Sequence, residues 1–148
     1  LGYTPQSSTG AKANVQIAVT PDDSPATITI DKFTQFTSTV NGTSYVFCTS
    51  GSSTVVANAG AYVASGVELT QGIPLTFRYT ANTANTDQKF LLPNANTDTD
   101  TLTVTIQESA SDTNTSAYTQ ATDITTINST SNIFMLDILH MYISDCIE

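Results

Sequence analysis

The sequence predicts a mainly β protein: an antiparallel β-sandwich-like domain of short hairpin-linked strands, with a short helix as one option at the C-terminus. Three observations carry this expectation. Thr supplies 28 of the 148 residues, and its branched Cβ favours pleated, half-buried surface while its hydroxyl still faces water. Charged residues make up only 11%, far below the roughly 25% of an average soluble domain. Apolar residues recur on alternate positions between clusters of Gly, Pro, Asn and Asp, the pattern of half-buried strands separated by turns. The length suits one domain, and no repeat of fixed period is visible.

Residues 1–13, "LGYTPQSSTGAKA", are rich in Gly, Pro and Ser and read as a linker from a missing N-terminal region. The β domain is expected over 14–132. It opens with "NVQIAVT", where Val15, Ile17 and Val19 share one parity. "PDDSP" is a turn, and "ATITI" a second strand carrying Ile28 and Ile30. Asn41-Gly42 supplies the two φ > 0 residues of a type I′ hairpin turn. Pairing its flanks outward sets Val40 opposite Thr43, Ser38 opposite Tyr45 and Phe36 opposite Phe47, all on one face.

"VELTQGIPLTFRY" predicts a second hairpin with a loop at Gln71-Gly72-Ile73. That register pairs Leu69 with Leu75 and Val67 with Phe77, and sets Glu68 diagonal to Arg78. Residues 80–88 form a polar loop, and "KFLLPN" is a short apolar segment ended by Pro93. "YTQATDITTINST" reads as a weaker strand with its own turn. Residues 133–148 are an atypical tail, apolar nearly all round and holding both Met residues and the single His. A helix capped by Ser131 or Asn132 and an apolar strand both fit it.

The stretch "NANTDTDTLTVTIQES" (94–109) tests for chemistry. Asn94, Asn96, Asp98 and Asp100 place oxygen ligands on alternate positions, as a calcium loop does. The sixth and twelfth positions, where such a loop needs Gly and a bidentate Glu, are Thr99 and Thr105. Leu102, Val104 and Ile106 share a parity that runs back through Asp100 and Asp98, so an unbroken strand would carry two carboxylates to its core face. The preferred reading starts the strand near Thr101 and leaves 94–100 as turn residues bonded to their own backbone. Asp98 and Asp100 are the only candidates for a metal, and none is expected.

Net charge is −9, with Lys12, Lys32, Arg78 and Lys89 the only cations. Nucleic-acid binding needs phosphate-neutralising Lys and Arg, so that class is set aside. An anionic membrane surface is equally unattractive, and no apolar run approaches the ~20 residues that span a bilayer. Cys48 and Cys146 are the only cysteines, fewer than a disulfide-stapled fold usually carries, and read as buried small hydrophobes. Asp137, His140 and Ser144 fall at helical spacing, but such a row is not a nucleophile arrangement without a cleft and an oxyanion site. Asp22-Asp23 sits in a turn rather than a groove. No catalytic residue, cofactor or small-molecule substrate is expected, and the chain does not read as an enzyme.

Several stretches in order resemble the baseplate wedge proteins of T4-like contractile-tail bacteriophages, related to the baseplate J-like family. They are "LGYTPQSSTGAKANVQIAVT", "TITIDKFTQFTSTVNGTSYVFCT", "VELTQGIPLTFRYT" and "DQKFLLPNANTDTDTLTVTIQES", and the similarity runs over roughly residues 1 to 132. The resemblance implies a fragment of a longer structural subunit in the virion tail baseplate, made in the host bacterial cytoplasm. It also implies association with itself and with other wedge subunits, through surfaces the sequence does not place. "MLDILHMYISDCIE" departs from the family pattern, so a truncated or altered reading frame is expected there. The alternative is an adhesin or carbohydrate-binding β-sandwich module of a surface or virion protein. Such modules usually expose aromatics; here Trp is absent, and Phe36, Tyr45, Phe47, Phe77 and Tyr79 all fall on parities assigned to cores.

Overall fold

A computed structural model describes residues 7–82, 84, 88–122, 128, 130–137 and 140–143. The fold is mainly β, as its composition predicts, and the chain divides into two compact units: Gly10–Thr76, and Leu1–Thr9 with Phe77–Glu148.

The Gly10–Thr76 unit holds β1 (Lys12–Val19), β2 (Thr27–Ile30), β3 (Gln35–Val40), β4 (Thr43–Thr49), β5 (Ser53–Val56) and β6 (Tyr62–Gln71). A curled four-stranded sheet runs β1-β6-β4-β3, and β2 pairs with β5. All these pairings are antiparallel. Ile30, Ala64, Val67 and Leu69 form the core, with Val15, Ile17, Val19, Phe36, Phe47 and Val55 packed around it. A large apolar side chain taken fully from water contributes about 1.5–3 kcal/mol; Ile30 of β2 is buried in this way, while Val15, Ile17 and Val19 of β1 are half-buried and contribute less.

The Asn41-Gly42 hairpin has the expected register, with Val40 opposite Thr43, Ser38 opposite Tyr45 and Phe36 opposite Phe47. Asn41 (φ 50°) and Gly42 (φ 80°) supply the two left-handed residues. The distal part of this hairpin runs beyond the core: residues 37–45 are all exposed, and β4 meets β6 only at Phe47–Thr49.

The second expected hairpin does not form. Leu69 lies opposite Ala13 on one side and Thr49 on the other, not opposite Leu75. Two physical causes redirect it. β6 is an interior strand whose both edges are taken by β1 and β4, while the segment after it contains Pro74, which cannot donate to a ladder. β6 also carries an irregularity: Val15 pairs with Val67 but Ile17 with Ala64, leaving Ser65 and Gly66 opposite Gln16. This bulge, with Gly66 at φ 69°, switches the inward parity so that Tyr62, Ala64, Val67 and Leu69 are all buried.

Thr49 is the one residue with no exposure at all among the described core. Its Oγ1 donates to the Asp31 carbonyl (2.6 Å) and accepts the Thr34 N–H (2.9 Å). Its backbone accepts from Phe33 N–H (2.9 Å) and donates to the Thr34 carbonyl (3.0 Å). These four bonds hold the β2–β3 turn in which Phe33 adopts φ 68°, a conformation a bulky side chain rarely takes.

The other unit holds β7 (Phe90–Leu91), a 3-10 turn (Thr99–Thr101), β8 (Val104–Ile106), β9 (Ser116–Gln120), β10 (Ile133–Asp137) and β11 (His140–Ile143). Its five strands run β7-β11-β10-β9-β8. The antiparallel pattern has one exception, since β9 and β10 pair parallel through Ile133↔Thr119 and Phe134↔Gln120. Phe90, Val104, Tyr118 and Phe134 are buried together, flanked by Leu102, Ile106 and Leu136. Tyr79 packs against Phe90 with ring centroids 5.5 Å apart and planes tilted by 49°, and its hydroxyl donates to the Leu91 carbonyl.

Of the two options for the tail, its described residues take the strand: Ile133–Asp137 and His140–Ile143 pair antiparallel as β10 and β11, with β10 the middle strand of the sheet. Ladder partners on both sides and burial of Phe134 favour the strand for a segment whose apolar residues run without helical periodicity.

Candidate functional site

The stretch 94–100 folds as a chain of side-chain-to-backbone turns. Asn94 Oδ1 accepts the Asn96 N–H (2.9 Å), and its carbonyl accepts the Thr97 N–H (3.1 Å) and hydroxyl (2.7 Å). Asp98 Oδ1 accepts the Asp100 N–H (3.1 Å) and caps the 3-10 turn, while its carbonyl accepts the Thr101 hydroxyl (2.9 Å). Ser7 Oγ accepts the Thr99 N–H (3.1 Å), joining this turn to the start of the described chain. The turn thus employs the short oxygen side chains as local acceptors, which is what these residue types do best outside strands. The strand begins at Val104 rather than near Thr101, because the 3-10 turn takes up Thr99–Thr101. Leu102, Val104 and Ile106 point to the core as their shared parity requires, and Asp98 and Asp100 do not follow them. Among the described residues no three of His, Cys, Asp and Glu gather where a metal could be held.

Asp137 and His140, read at helical spacing in the sequence, lie on strands instead. Asp137 and His140 are direct cross-strand partners at the end of the β10–β11 hairpin. Ser144 and Cys146 lie outside the described residues. Cys48 is buried, as expected of a small hydrophobe, and its Sγ donates to the Gly72 carbonyl (3.1 Å). Burial pushes its thiol pKa up, away from the thiolate that nucleophilic or metal-binding roles require.

The aromatic assignment needs correction in part. Phe36 and Phe47 pack on the core, but Tyr45 and Tyr79 remain 37% and 43% exposed. Phe33, which sequence reading does not single out, is 49% exposed with the Lys32 ammonium 4.7 Å above its ring. Tyr45 shares the face of Phe36 and Phe47, yet that face continues along the hairpin past the point where the core ends. Parity assigns a face correctly; it does not say how far the covering layer extends.

The feature that stands out is the distribution of charge. Residues 33–67 contain no Asp, Glu, Lys or Arg, in a chain of net charge −9. The same stretch carries exposed Val40, Tyr45, Val56 and Val63. It includes β3, the terminal strand of its sheet, which no strand pairs on its outer side among the described residues. Exposed edges are normally blunted by charge, Pro or bulges, and β3 ("QFTSTV") has none of these. This signal was available in the sequence as an uninterrupted charge-free run; only the strand order shows that it lies at an edge. Compared with known protein families and with curated proteins, the chain matches none.

Proposed function

We propose that this chain is part of a structural subunit of a phage tail baseplate wedge, acting through contacts with copies of itself and with other wedge subunits. The observation that carries the contact-based reading is the uncharged run 33–67, with its exposed apolar side chains and its open β3 edge. A surface of that kind favours pairing with another protein over long residence in water. The assignment to a baseplate rests on the ordered sequence resemblance, which gives the virion location and the wedge partners. In the turns at 94–100, Asn94, Thr97 and Asp98 direct their polar side chains to local backbone, which suits a scaffold better than a reaction centre. Mass spectrometry of purified virions from the source, with pull-down by the tagged chain, tests the proposal. Recovery in tail baseplates together with wedge subunits is the expected result; absence from virions would overturn it. The carbohydrate-binding alternative draws on the exposed rings of Phe33 and Tyr45, and saturable binding on a glycan array would favour it instead.

A further inference from the structure

We infer that β3 is a self-pairing edge: β3 of one copy adds antiparallel to β3 of a second copy across a two-fold axis. The inference rests on the assembly reading above and gives it a surface.

The direction of the edge groups follows from the ladder. The Val46 carbonyl accepts the Gly72 N–H at 2.9 Å, so Val46 turns its backbone groups away from β3. Thr37, directly opposite Val46, is therefore in a non-hydrogen-bonded pair and turns its own N–H and C=O away from β4. Alternation gives Thr39 the same outward direction, while Phe36, Ser38 and Val40 bond to β4. An antiparallel pairing centred on Ser38 then sets Thr37 opposite Thr39 of the second copy, and each of these residues offers both a donor and an acceptor. The pattern is self-complementary, as a two-fold interface requires.

Side chains agree with this register. It places Val40, 54% exposed, beside Phe36 of the second copy, on the face that already carries Tyr45 and Phe47. The apolar face of one hairpin thus continues into the other. Electrostatics favours a second copy here as well. Two chains of net charge −9 repel at most approaches, but β3 and its partner β4 lie wholly inside the charge-free run. The opposite edge of the sheet is less suited: β1 begins with Lys12, and its Gln16 faces the bulge at Ser65 and Gly66, which adds local twist.

Sedimentation velocity on the whole chain tests the inference. A dimer is expected, and Thr39→Pro weakens it by at least about tenfold in Kd, since Pro deletes an outward donor without touching the β3–β4 ladder. Circular dichroism and thermal unfolding check that the variant is folded. Should it not fold, Thr37→Lys serves instead: it weakens the dimer, and adding Thr39→Glu restores it, because the new charges then face each other across the axis. A monomeric wild type that still captures wedge subunits overturns the self-pairing edge and leaves the assembly reading standing. So does a dimer whose Kd none of these changes moves. A monomer that captures no wedge subunit overturns both.

Discussion

Replacing Thr49 by Val removes one oxygen from the most buried position of the Gly10–Thr76 unit and keeps the side-chain shape. In the wild type that oxygen donates to the Asp31 carbonyl at 2.6 Å and accepts the Thr34 N–H at 2.9 Å. Two hydrogen bonds at about 1 kcal/mol each amount to about 2 kcal/mol. Against this, the added methyl gains about 0.8 kcal/mol of apolar burial. The partners are not left fully orphaned: the Asp31 carbonyl still accepts the Thr34 hydroxyl (2.7 Å) and N–H (3.2 Å). The net expectation is therefore a loss of about 1–2 kcal/mol, read as a lower urea midpoint at unchanged slope. The Thr34 amide should lose exchange protection by more than its neighbours in β4. Thr49→Ser is the control, keeping both bonds and losing one methyl, at a cost of about 1 kcal/mol. If Thr49→Val matches or exceeds wild-type stability while Thr49→Ser is the more damaging change, methyl packing rather than the hydroxyl clamp governs this turn, and the reasoning fails.

Three further outcomes follow from the same geometry. Gly66 stands at φ 69° with open space where a Cβ would go, so Gly66→Ala costs about 1–2 kcal/mol through backbone strain alone, whereas Gly51→Ala, at an ordinary φ and also in open space, stays within about 0.5 kcal/mol; equal effects in denaturant titrations would remove the bulge argument. Phe134 is 3% exposed at the centre of the second core, and Phe134→Ala should cost about 3–5 kcal/mol; a variant with unchanged thermal unfolding would show that the tail strand is dispensable. Burial raises the Cys48 thiol pKa, so the native state holds its proton to higher pH than the unfolded chain does. Its stabilising term is complete below the unfolded thiol value and declines as pH rises through the folded one. Wild-type stability relative to Cys48→Ala should therefore fall above about pH 8.5, and a flat difference across that range would contradict the burial effect.

How far the sequence could be read depended on whether the deciding interaction was local. The β3–β4 hairpin was legible to the residue because Asn41-Gly42 fixes the turn and one parity fixes the face. The Asx turns at 94–100 were legible for the same reason, since Asn94 and Asp98 bond backbone only two residues away. Leu69 was misplaced because its partners Ala13 and Thr49 are remote in sequence, and nothing near it announces them. The parity switch at Gly66 also disguised one long strand as the first half of a hairpin. The tail stayed ambiguous because only β9 and β11, on either side of β10, choose strand over helix. For the candidate surface, the charge-free run is visible in the sequence, but its place on an edge is a property of strand order.

That strand order also bears on how the chain is made. In the Phe77–Glu148 unit, the one ladder partner of β7 among the described residues is β11, and β9 meets β10 in parallel, so β7 and the outer side of β9 wait for the late strands. During synthesis Phe90, Val104 and Tyr118 emerge without the Phe134 ring that completes their cluster. The Gly10–Thr76 unit reaches its last ladder residue, Gln71, about half a chain earlier. Vectorial synthesis therefore closes one unit while the other still shows its apolar residues to the cell, a window in which aggregation or chaperone capture competes with folding. Slowing translation between residues 120 and 140 should lengthen that window and lower the soluble yield.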